Sequence, residues 1–209
     1  MIQAGGTNIP VLTIPRLFTH QECDDLSGAM KKYATKEEAA VYTDQTYGID
    51  TTPEFRKGSV YSRTVNNYKS EFITHMQTDR LNYAIQKFHL DTGIRSIVTP
   101  GVFEFQLAVY DQADDHFKIH RDASPDLGRW ADENLKTVRK ISMSIPLSNT
   151  QEYEGCGLRF ETKEKQTVRV QADKGDAVIF PSWLMHQVDP LISGTRESLV
   201  VWAHGDFWI

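Results

Sequence analysis

Two histidines and one aspartate in this chain have the residue types and spacing of a metal site. His120 and Asp122 are separated by one residue, and His186 follows further along the chain. Two neutral imidazoles and one carboxylate can occupy one face of an octahedral Fe(II) ion and leave three coordination positions open. The set therefore predicts a metal centre with room for a bidentate co-substrate and O2.

The spacing of His120 and Asp122 predicts that both lie on a strand. In extended backbone, residues i and i+2 point to the same side, so both side chains reach one ion only from a strand or a strand end. His116 shares this parity. Residues i and i+4 of a strand nevertheless lie about 13 Å apart, too far for one ion. His116 is therefore left out of the predicted ligand set.

The downstream sequence strengthens a pattern that is weak on its own. A His-x-Asp triplet arises easily by chance in a chain rich in Asp, and a surface turn is its simplest alternative explanation. Here Gly175 and Asp176 predict a turn that opens a short apolar strand over residues 177–181, and His186 follows it. These features occur in the order that a metal site on neighbouring strands requires.

Composition favours one intracellular domain. The 209 residues are 40% hydrophobic, which suits a single core, and the net charge of -5 argues against a nucleic-acid partner. The two cysteines, Cys23 and Cys156, are too few for a disulfide framework, so a cytoplasmic location is expected. We expect no membrane contact, because the chain has neither a signal-peptide pattern nor an apolar run long enough to cross a bilayer.

Two helices are predicted in the first half of the chain. Thr19 has the features of an N-cap, with Glu22 at the third helical position, and predicts a helix of about three turns. Apolar residues at helical spacing over residues 71–90 predict the main supporting helix. Residues 43–70 lack a sustained period and are expected to be irregular, apart from a short strand near Val60.

From residue 100 onward, apolar residues recur with a period of two. Residues 102–110, 138–147 and 196–203 alternate between an apolar and a polar face, as strands with one buried side do. The polar positions are Glu104, Gln106, Tyr110, Lys140, Ser142, Ser144, Arg196, Ser198 and Trp202. Of these, Lys140, Ser142 and Ser144 are given no role at this point.

The polar faces have two explanations. A sheet with one solvated face is the general one. Because these strands flank the metal triad, we expect their polar faces to line an internal pocket instead. The predicted fold is mainly β with supporting α, a double-stranded β-helix (jelly-roll, cupin-like) core with N-terminal helices packed on one sheet. We predict one domain over residues 1–209, with a helical support region at 1–98 and the jelly-roll catalytic core at 99–209.

Motifs along most of the chain carry a resemblance to a known family. They comprise residues 14–26, Tyr110, His120, residues 139–142, 153–155 and 174–176, His186, residues 194–196 and Trp202. In these motifs the chain resembles the Fe(II)- and 2-oxoglutarate-dependent dioxygenases, in the prolyl 4-hydroxylase-like branch that includes the PKHD-type hydroxylases. It departs from the family pattern at residues 113–117 and 155–157, at the expected pocket rim, which bears on substrate identity.

The resemblance implies an oxidative reaction. His120, Asp122 and His186 would be the iron ligands. Decarboxylation of 2-oxoglutarate with O2, to succinate and CO2, would be coupled to hydroxylation of an unactivated C–H bond. The implied primary substrate is a peptidyl proline or another amino-acid side chain, and ascorbate is a further implied cofactor.

The resemblance also implies how the co-substrate is held. Arg196 would form a salt bridge with the distal carboxylate of 2-oxoglutarate, because its planar guanidinium matches a carboxylate. Ser198, on the same strand face, could donate its hydroxyl to that carboxylate. Tyr110 would hydrogen-bond the co-substrate, and Trp202 would wall the site.

Other functions stay open at the level of sequence. The oxygenase could act on a free small molecule or on a nucleic acid, the latter through a basic patch of Arg56, Lys57, Arg63 and Lys69. A cupin-type metal protein without 2-oxoglutarate chemistry, or a binding protein with an inactive site, could share the fold. Residues 123–137 could form a lid or an ordinary surface loop. The oligomeric state is not predicted.

Overall fold

The computed structural model describes residues 2–4, 7–38, 41–43, 48–50, 53–65, 76–123, 131–132 and 137–206. Its helices are α1 (His20–Tyr33) and α2 (Thr78–Thr92). Its strands are β1 (Ile2–Ala4), β2 (Thr7–Ile9), β3 (Leu12–Ile14), β4 (Thr35–Glu38), β5 (Val41–Thr43), β6 (Gly48–Asp50), β7 (Arg56–Lys57), β8 (Ser59–Val65), β9 (Phe103–Tyr110), β10 (His116–His120), β11 (Ala131–Asp132), β12 (Thr137–Pro146), β13 (Tyr153–Gly155), β14 (Leu158–Glu161), β15 (Thr167–Val170), β16 (Ala177–Pro181), β17 (His186–Val188), β18 (Leu191–Gly194) and β19 (Arg196–Gly205).

Two antiparallel sheets form the body of the described fold. The major sheet has the strand order β3-β16-β12-β19-β9-β8-β4, with β11 paired to β12. The minor sheet has the order β15-β14-β17-β10-β7. Three smaller pairs, β1-β2, β5-β6 and β13-β18, complete the strand pairing. The mainly β prediction is confirmed.

The alternation along the long strands divides the major sheet into two faces. The odd positions of β9, β12 and β19, such as Phe105, Met143 and Val201, are fully buried in one core cluster with residues of α1 and α2. The even positions face the minor sheet, where Tyr110, Phe160 and other side chains form a second cluster. The helices therefore pack on one face of one sheet, as predicted, and the opposite face is left to line an interior.

Helix α1 starts where its cap predicts. The Thr19 hydroxyl accepts from the backbone N–H of Glu22 at 3.3 Å, and the Glu22 carboxylate accepts from the backbone N–H of Thr19 at 2.7 Å. Arg80 of α2 donates to the same carboxylate at 2.7 Å and to the Leu17 carbonyl at 3.1 Å. The capping box thus also joins the two helices. With 14 residues, α1 is about one turn longer than the sequence predicted.

Helix α2 confirms the supporting helix only in part. It runs over Thr78–Thr92, and its buried side chains include Leu81, Ile85 and Phe88. Residues 71–75 of the predicted helix lie outside the described residues. The helix ends at Gly93, whose positive φ of 73° is the left-handed conformation that commonly closes a helix.

The turn before β16 depends on a glycine. Gly175 has a φ of +89°, and a Cβ atom there would lie 2.1 Å from the Phe18 carbonyl oxygen. The Asp176 carboxylate accepts from the backbone N–H groups of Arg16 at 2.8 Å and of Asp173 at 2.9 Å. This predicted Gly-Asp turn therefore fixes the entry of β16 beside β3.

Other segments with a prediction from the sequence are only partly among the described residues. The short strand near Val60 is confirmed as β8. The prediction that the rest of the region between Thr43 and Ser70 is irregular is wrong where it can be checked, because its described residues also form β6 and β7. Most of the suggested lid at residues 123–137 lies outside the described residues. Among the residues that are described, no helix is long and apolar enough to cross a membrane. The division of the chain at residue 98 stays a prediction.

The capping box gives a test of the fold. Thr19→Ala should lower the free energy of unfolding by about 1 kcal/mol, because it leaves a backbone donor of α1 without its acceptor. His20→Ala, at an exposed position of the same first turn, is the matched control and should change stability less. Urea unfolding followed by circular dichroism measures both. Equal losses for the two variants would show that the cap contributes nothing specific.

Candidate active site

The register of two neighbouring strands brings the two histidines together. Strands β10 and β17 are antiparallel, and His120 lies opposite His186. Asp122 lies two residues beyond the end of β10. Its backbone N–H and that of Ala123 both donate to the Ser182 carbonyl at 2.9 Å. The chain end of β10 is therefore held against the turn that leads into β17.

The three predicted metal ligands form one cluster. The Asp122 carboxylate lies 3.6 Å from His120 Nε2 through Oδ1 and 3.6 Å from His186 Nε2 through Oδ2. One ligand atom from each side chain can be chosen so that all lie within 4.8 Å of one another. Asp122 and His186 are buried, and His120 is half-buried. The structure thus brings together the full set that the sequence singled out.

Backbone carbonyls orient both imidazole rings. His120 Nδ1 lies 2.7 Å from the Lys118 carbonyl oxygen, and His186 Nδ1 lies 2.9 Å from the Leu184 carbonyl oxygen. A carbonyl only accepts, so each Nδ1 carries the proton and donates. Each Nε2 therefore presents its lone pair to the cluster, which is the arrangement by which metal-binding histidines are usually held.

The Asp122 carboxylate is held by Ser142, which in turn contacts Ser182. Ser142 Oγ donates to Asp122 Oδ2 at 2.7 Å and lies 2.9 Å from Ser182 Oγ. Both serines are fully buried. Ser142 was visible in the sequence as a polar residue of a strand face, but nothing there connected it to Asp122, because the contact depends on how β12 lies beside the end of β10.

Burial and mutual contact set the charge states of the cluster. The pKa of His186 is lowered to about 4, mainly by burial and then by the neighbouring His120. Burial by itself would favour protonated Asp122, but His186 and His120 outweigh it and hold the pKa of that carboxyl well below its ordinary range. At neutral pH the site therefore offers a neutral imidazole at His186 and a carboxylate at Asp122, the forms that bind a metal ion. The donor set, its orientation and its protonation fit Fe(II).

Aromatic rings shield the histidines. Phe117 stacks on His120 with ring centroids 3.5 Å apart and an interplanar angle of 14°. Phe180 meets His186 edge-on at 4.7 Å, and Phe160 meets Phe180 edge-on at 4.8 Å. None of the three was assigned to the site from sequence. They make the surroundings of the ligand atoms apolar.

A cavity of about 40 Å³ adjoins the cluster and contains every predicted co-substrate residue. We call it the metal-side cavity; the predicted residues lining it are His120, Asp122, His186, Arg196, Tyr110, Ser198 and Trp202. Strand pairing places Arg196 opposite Tyr110. Trp202 is opposite Ser142, about 20 Å further along β19. Trp202 and Arg196 therefore mark two ends of the cavity, with the carboxylate of Asp122 held near the Trp202 level.

Arg196 is a buried cation without a counterion in the described structure. Its residue surface is 4% exposed. Its guanidinium lies 5.5 Å from the Tyr110 ring centre, and it forms neither an ion pair nor a hydrogen bond with any described residue. Among the described residues, Trp202 Nε1 is the one solvent-inaccessible polar side-chain atom without a hydrogen-bond partner. The Arg196 nitrogens also lack a described hydrogen-bond partner, but they are not among the solvent-inaccessible atoms. A cavity must therefore give access to them.

Tyr110 and Ser198 present hydroxyl groups beside Arg196. Burial raises the pKa of Tyr110, so its phenol stays protonated and able to donate. Ser198 Oγ lies 3.1 Å from Ser144 Oγ and 3.3 Å from the Ile145 carbonyl oxygen, to which it donates. The two hydroxyls and the guanidinium thus surround the same end of the cavity.

A second set of charged residues supports Trp202. The Arg139 guanidinium lies 3.7 Å from the Trp202 ring centre, and Arg139 Nε donates to Glu104 Oε2 at 2.9 Å. His204 Nε2 lies 3.3 Å from the same carboxylate oxygen. Burial opposes ionisation of Glu104, but Arg139 and His204 outweigh it and lower its pKa to about 2. Sequence reasoning placed Glu104 on a polar face but did not find this cluster.

Arg56 corrects one sequence hypothesis. It was grouped with Lys57, Arg63 and Lys69 as a basic surface patch, but its side chain is buried and lines the metal-side cavity. Its guanidinium donates to Gln106 Oε1 and lies 4.4 Å from the Phe117 ring centre. The Arg63 side chain and Lys69 lie outside the described residues. Arg56 therefore belongs to the site interior.

His116 is held away from the metal cluster. Its Nδ1 lies 2.7 Å from the Asp114 carbonyl oxygen and its Nε2 3.3 Å from the Glu54 carbonyl oxygen. Both ring nitrogens are thus engaged by backbone. The described His, Cys, Asp and Glu side chains form one group able to hold a metal ion, and His116 is not in it. Its exclusion on strand geometry agrees with the structure.

The sequence matches an oxygenase family. A sequence model of the 2OG-Fe(II) oxygenase superfamily matches residues 105–204. A PKHD-type hydroxylase of Prochlorococcus marinus is 26% identical over 146 residues, covering 69% of this chain and 62% of that protein. A PKHD-type hydroxylase of Acinetobacter baumannii is 34% identical over 98 residues, covering 46% of this chain and 41% of that protein. The chain therefore spans less than two thirds of these relatives' length.

Solved structures share the fold. A Pseudomonas putida prolyl-4-hydroxylase superposes with a TM-score of 0.59 at 17% identity, covering 93% of this chain and 92% of that one. A Trichoplax adhaerens prolyl hydroxylase, solved with a hypoxia inducible factor peptide fragment, gives a TM-score of 0.64 at 11% identity, covering 93% and 83%. The two facing sheets are thus the jelly-roll of these oxygenases. The chain is thus similar in sequence to the 2OG-Fe(II) oxygenase superfamily over residues 105–204 and to PKHD-type hydroxylases over part of its length, and it shares the fold of the solved prolyl hydroxylases.

Proposed function

We propose that this protein is an Fe(II)- and 2-oxoglutarate-dependent dioxygenase that hydroxylates an unactivated C–H bond and releases succinate and CO2. One observation carries the proposal. A two-histidine, one-aspartate cluster and a buried arginine without a described counterion line the same cavity. The first suits Fe(II), and the second suits the distal carboxylate of a dicarboxylic co-substrate.

His120, Asp122 and His186 would hold the ion. When bound, Fe(II) supplies the coordination of the 2-oxo acid and the redox chemistry with O2, which no side chain of the protein can supply. The chain's own contribution is orientation. The Lys118 and Leu184 carbonyls fix the imidazoles, and Ser142 fixes the carboxylate. Such supporting contacts commonly set metal affinity.

Arg196 would bind the distal carboxylate of 2-oxoglutarate. Burying a guanidinium with no anion is costly, so a carboxylate that completes the ion pair gains affinity from the site as it stands. Tyr110 can donate its hydroxyl to the same end of the ligand, and Ser198 would do so by turning its hydroxyl away from the Ile145 carbonyl. Arg196 and the metal cluster lie at different levels of β19, so the co-substrate would be extended between Arg196 and the ion.

The apolar walls would exclude water. Phe117, Phe160 and Phe180 surround the imidazoles, and Leu158 and Val188 also line the metal-side cavity. In such surroundings electrostatic contacts are stronger than in water, and side reactions with water are suppressed. The protein would thus supply a dry and oriented site for chemistry performed by the metal.

A peptide or amino-acid side chain is the proposed primary substrate. This rests on the family branch and on relatives described as prolyl hydroxylases. Trp202 would form one wall of the substrate space, held in place by Arg139, which is itself paired with Glu104. Ascorbate as an accessory cofactor and a cytoplasmic location remain part of the proposal.

The alternative functions explain less of the site. A cupin-type protein without 2-oxoglutarate, or a binding protein with an inactive centre, would not explain why Arg196 is buried without a described counterion. The hypothesis of a nucleic-acid substrate relied on a basic patch from which Arg56 is now removed. No described residue of the site favours a peptide over a free small molecule as substrate, and the substrate experiment below separates the two.

The ligand assignment predicts metal binding. Anaerobically purified protein should bind about one Fe(II) per chain, and His120→Ala, Asp122→Ala and His186→Ala should each remove most of that affinity, because three ligands are the minimum set. Ser142→Ala should weaken binding about tenfold. His116→Ala is the matched control, since its ring is held by backbone carbonyls. Equilibrium dialysis measures all five; wild-type affinity in the Asp122 variant would remove that residue from the site.

The co-substrate assignment predicts a separable effect of Arg196. Arg196→Ala should weaken 2-oxoglutarate binding by about 2 to 5 kcal/mol, because it removes one partner of a buried charge pair. Arg196→Lys should be intermediate, and metal content should stay at the wild-type level in both. Calorimetry with the metal-loaded protein tests this. Unchanged affinity in both variants would mean that another group holds the carboxylate.

The substrate proposal predicts stimulated turnover. Succinate release in the presence of 2-oxoglutarate and O2 should rise well above the uncoupled background when the true substrate is added, and the product should gain one oxygen atom. Proline-containing peptides should be compared with matched free amino acids by mass spectrometry. If only free amino acids or oligonucleotides are oxidised, the peptide proposal is wrong and the oxygenase proposal stands.

A further inference from the structure

A second cavity lies against Arg196. Its volume is about 160 Å³, and it shares Ser144, Leu158 and Arg196 with the metal-side cavity. Its other walls include Cys156 and Arg169. Because the same three side chains border both spaces, the two cavities are neighbours, and Arg196 is part of the wall between them.

The metal-side cavity alone is small for a dicarboxylic co-substrate. At about 40 Å³ it has room for about three water molecules, whereas the second cavity has room for about four times as many. The guanidinium of Arg196 makes no hydrogen bond with a described residue that would fix its position. A ligand that pairs with Arg196 can therefore extend toward the second cavity, or it can move the guanidinium in that direction.

Arg169 supplies a second cation to this space. It lies on β15 at an exposed position, and within the described chain it forms no ion pair. Its side chain packs over Gly157, where a Cβ atom would lie 2.7 Å from Arg169 Nε. The nearby Asp189 carboxylate is taken by Arg159, whose Nε donates to it at 2.6 Å. Gly157 thus lets Arg169 lie close to the cavity wall.

Cys156 gives the second cavity an uncharged wall. Its side chain is buried, and burial raises the pKa of its thiol to about 11, so it stays neutral. With Leu158, Val170 and Val178, it provides a surface suited to methylene groups. The cavity therefore combines these apolar side chains with two guanidinium groups and with polar side chains that include Thr150, Gln171 and Asp173.

We propose, on the basis of the function proposed above, that the co-substrate site continues past Arg196 into the second cavity. The protein then binds a 2-oxo dicarboxylic acid one methylene longer than 2-oxoglutarate, 2-oxoadipate, with its distal carboxylate between Arg196 and Arg169. The added methylene lies along Cys156 and Leu158. Two guanidinium groups can share one carboxylate, since each of its oxygens accepts more than one hydrogen bond.

The test is a comparison of affinities in the metal-loaded protein without O2. Calorimetry should give dissociation constants for 2-oxoglutarate and 2-oxoadipate within about tenfold of each other. Arg169→Ala should weaken 2-oxoadipate by about tenfold and 2-oxoglutarate by less than about twofold, because only the longer acid reaches Arg169. Arg169→Lys should restore part of the loss. Lys165→Ala, a cation of the same hairpin with a 79% exposed side chain, is the charge-matched control and should change neither affinity.

The outcomes separate the two proposals. If 2-oxoglutarate binds in an Arg196-dependent way and 2-oxoadipate does not bind, the extended site is wrong and the dioxygenase proposal stands. If Arg169→Ala and Lys165→Ala weaken 2-oxoadipate binding equally, the effect comes from net charge, and the proposed contact with Arg169 is wrong. If neither acid binds the metal-loaded wild type, the proposed function itself fails.

Discussion

The pleat of the major sheet is the constraint on which the rest of this protein depends. Alternate residues of a strand point to opposite faces, so each of β9, β12 and β19 must serve two environments at once. One face is apolar and packs on α1 and α2. The opposite face must carry the polar residues of the active site, so it cannot be wholly apolar. It places Tyr110, Ser142, Arg196 and Trp202 in the space between the sheets. Core and active site are thus two sides of the same strands.

Burying so many polar groups is costly unless each finds a partner. The Asp122 carboxylate accepts a hydrogen bond from Ser142, and the Glu104 carboxylate is paired with Arg139 and His204. Two groups stand apart in the described structure: the Arg196 guanidinium, which has no counterion, and the Trp202 N–H, which has no acceptor. Both residues line one cavity, Arg196 at one end and Trp202 at the other.

The rigidity of the cluster comes from backbone. The register of β10 and β17 sets the two histidines side by side, and carbonyls two residues earlier in the chain orient both rings. Asp122 is fixed by the Ser182 carbonyl through its own N–H. Because these contacts involve main-chain atoms, they depend on strand pairing more than on neighbouring side-chain identity. The walls that differ from the family pattern, Cys156 and Gly157, belong to the second cavity.

The sequence alone determined the features that depend on nearby residues. The spacing of His120 and Asp122, the Thr19 capping box, the Gly175 turn and the two-residue period of the long strands are each set by backbone geometry within a few positions, and the structure contains all four. The order of motifs along the chain placed His186 in the same predicted site, and the family resemblance gave Arg196 its role there. Tertiary structure alone decided which distant residues meet. Phe117 on His120, Ser142 on Asp122, Arg139 on Trp202, and Arg56 inside the cavity rather than on the surface all follow from sheet register and sheet packing. Register is a property of paired strands, so no pattern along one segment could have specified these contacts.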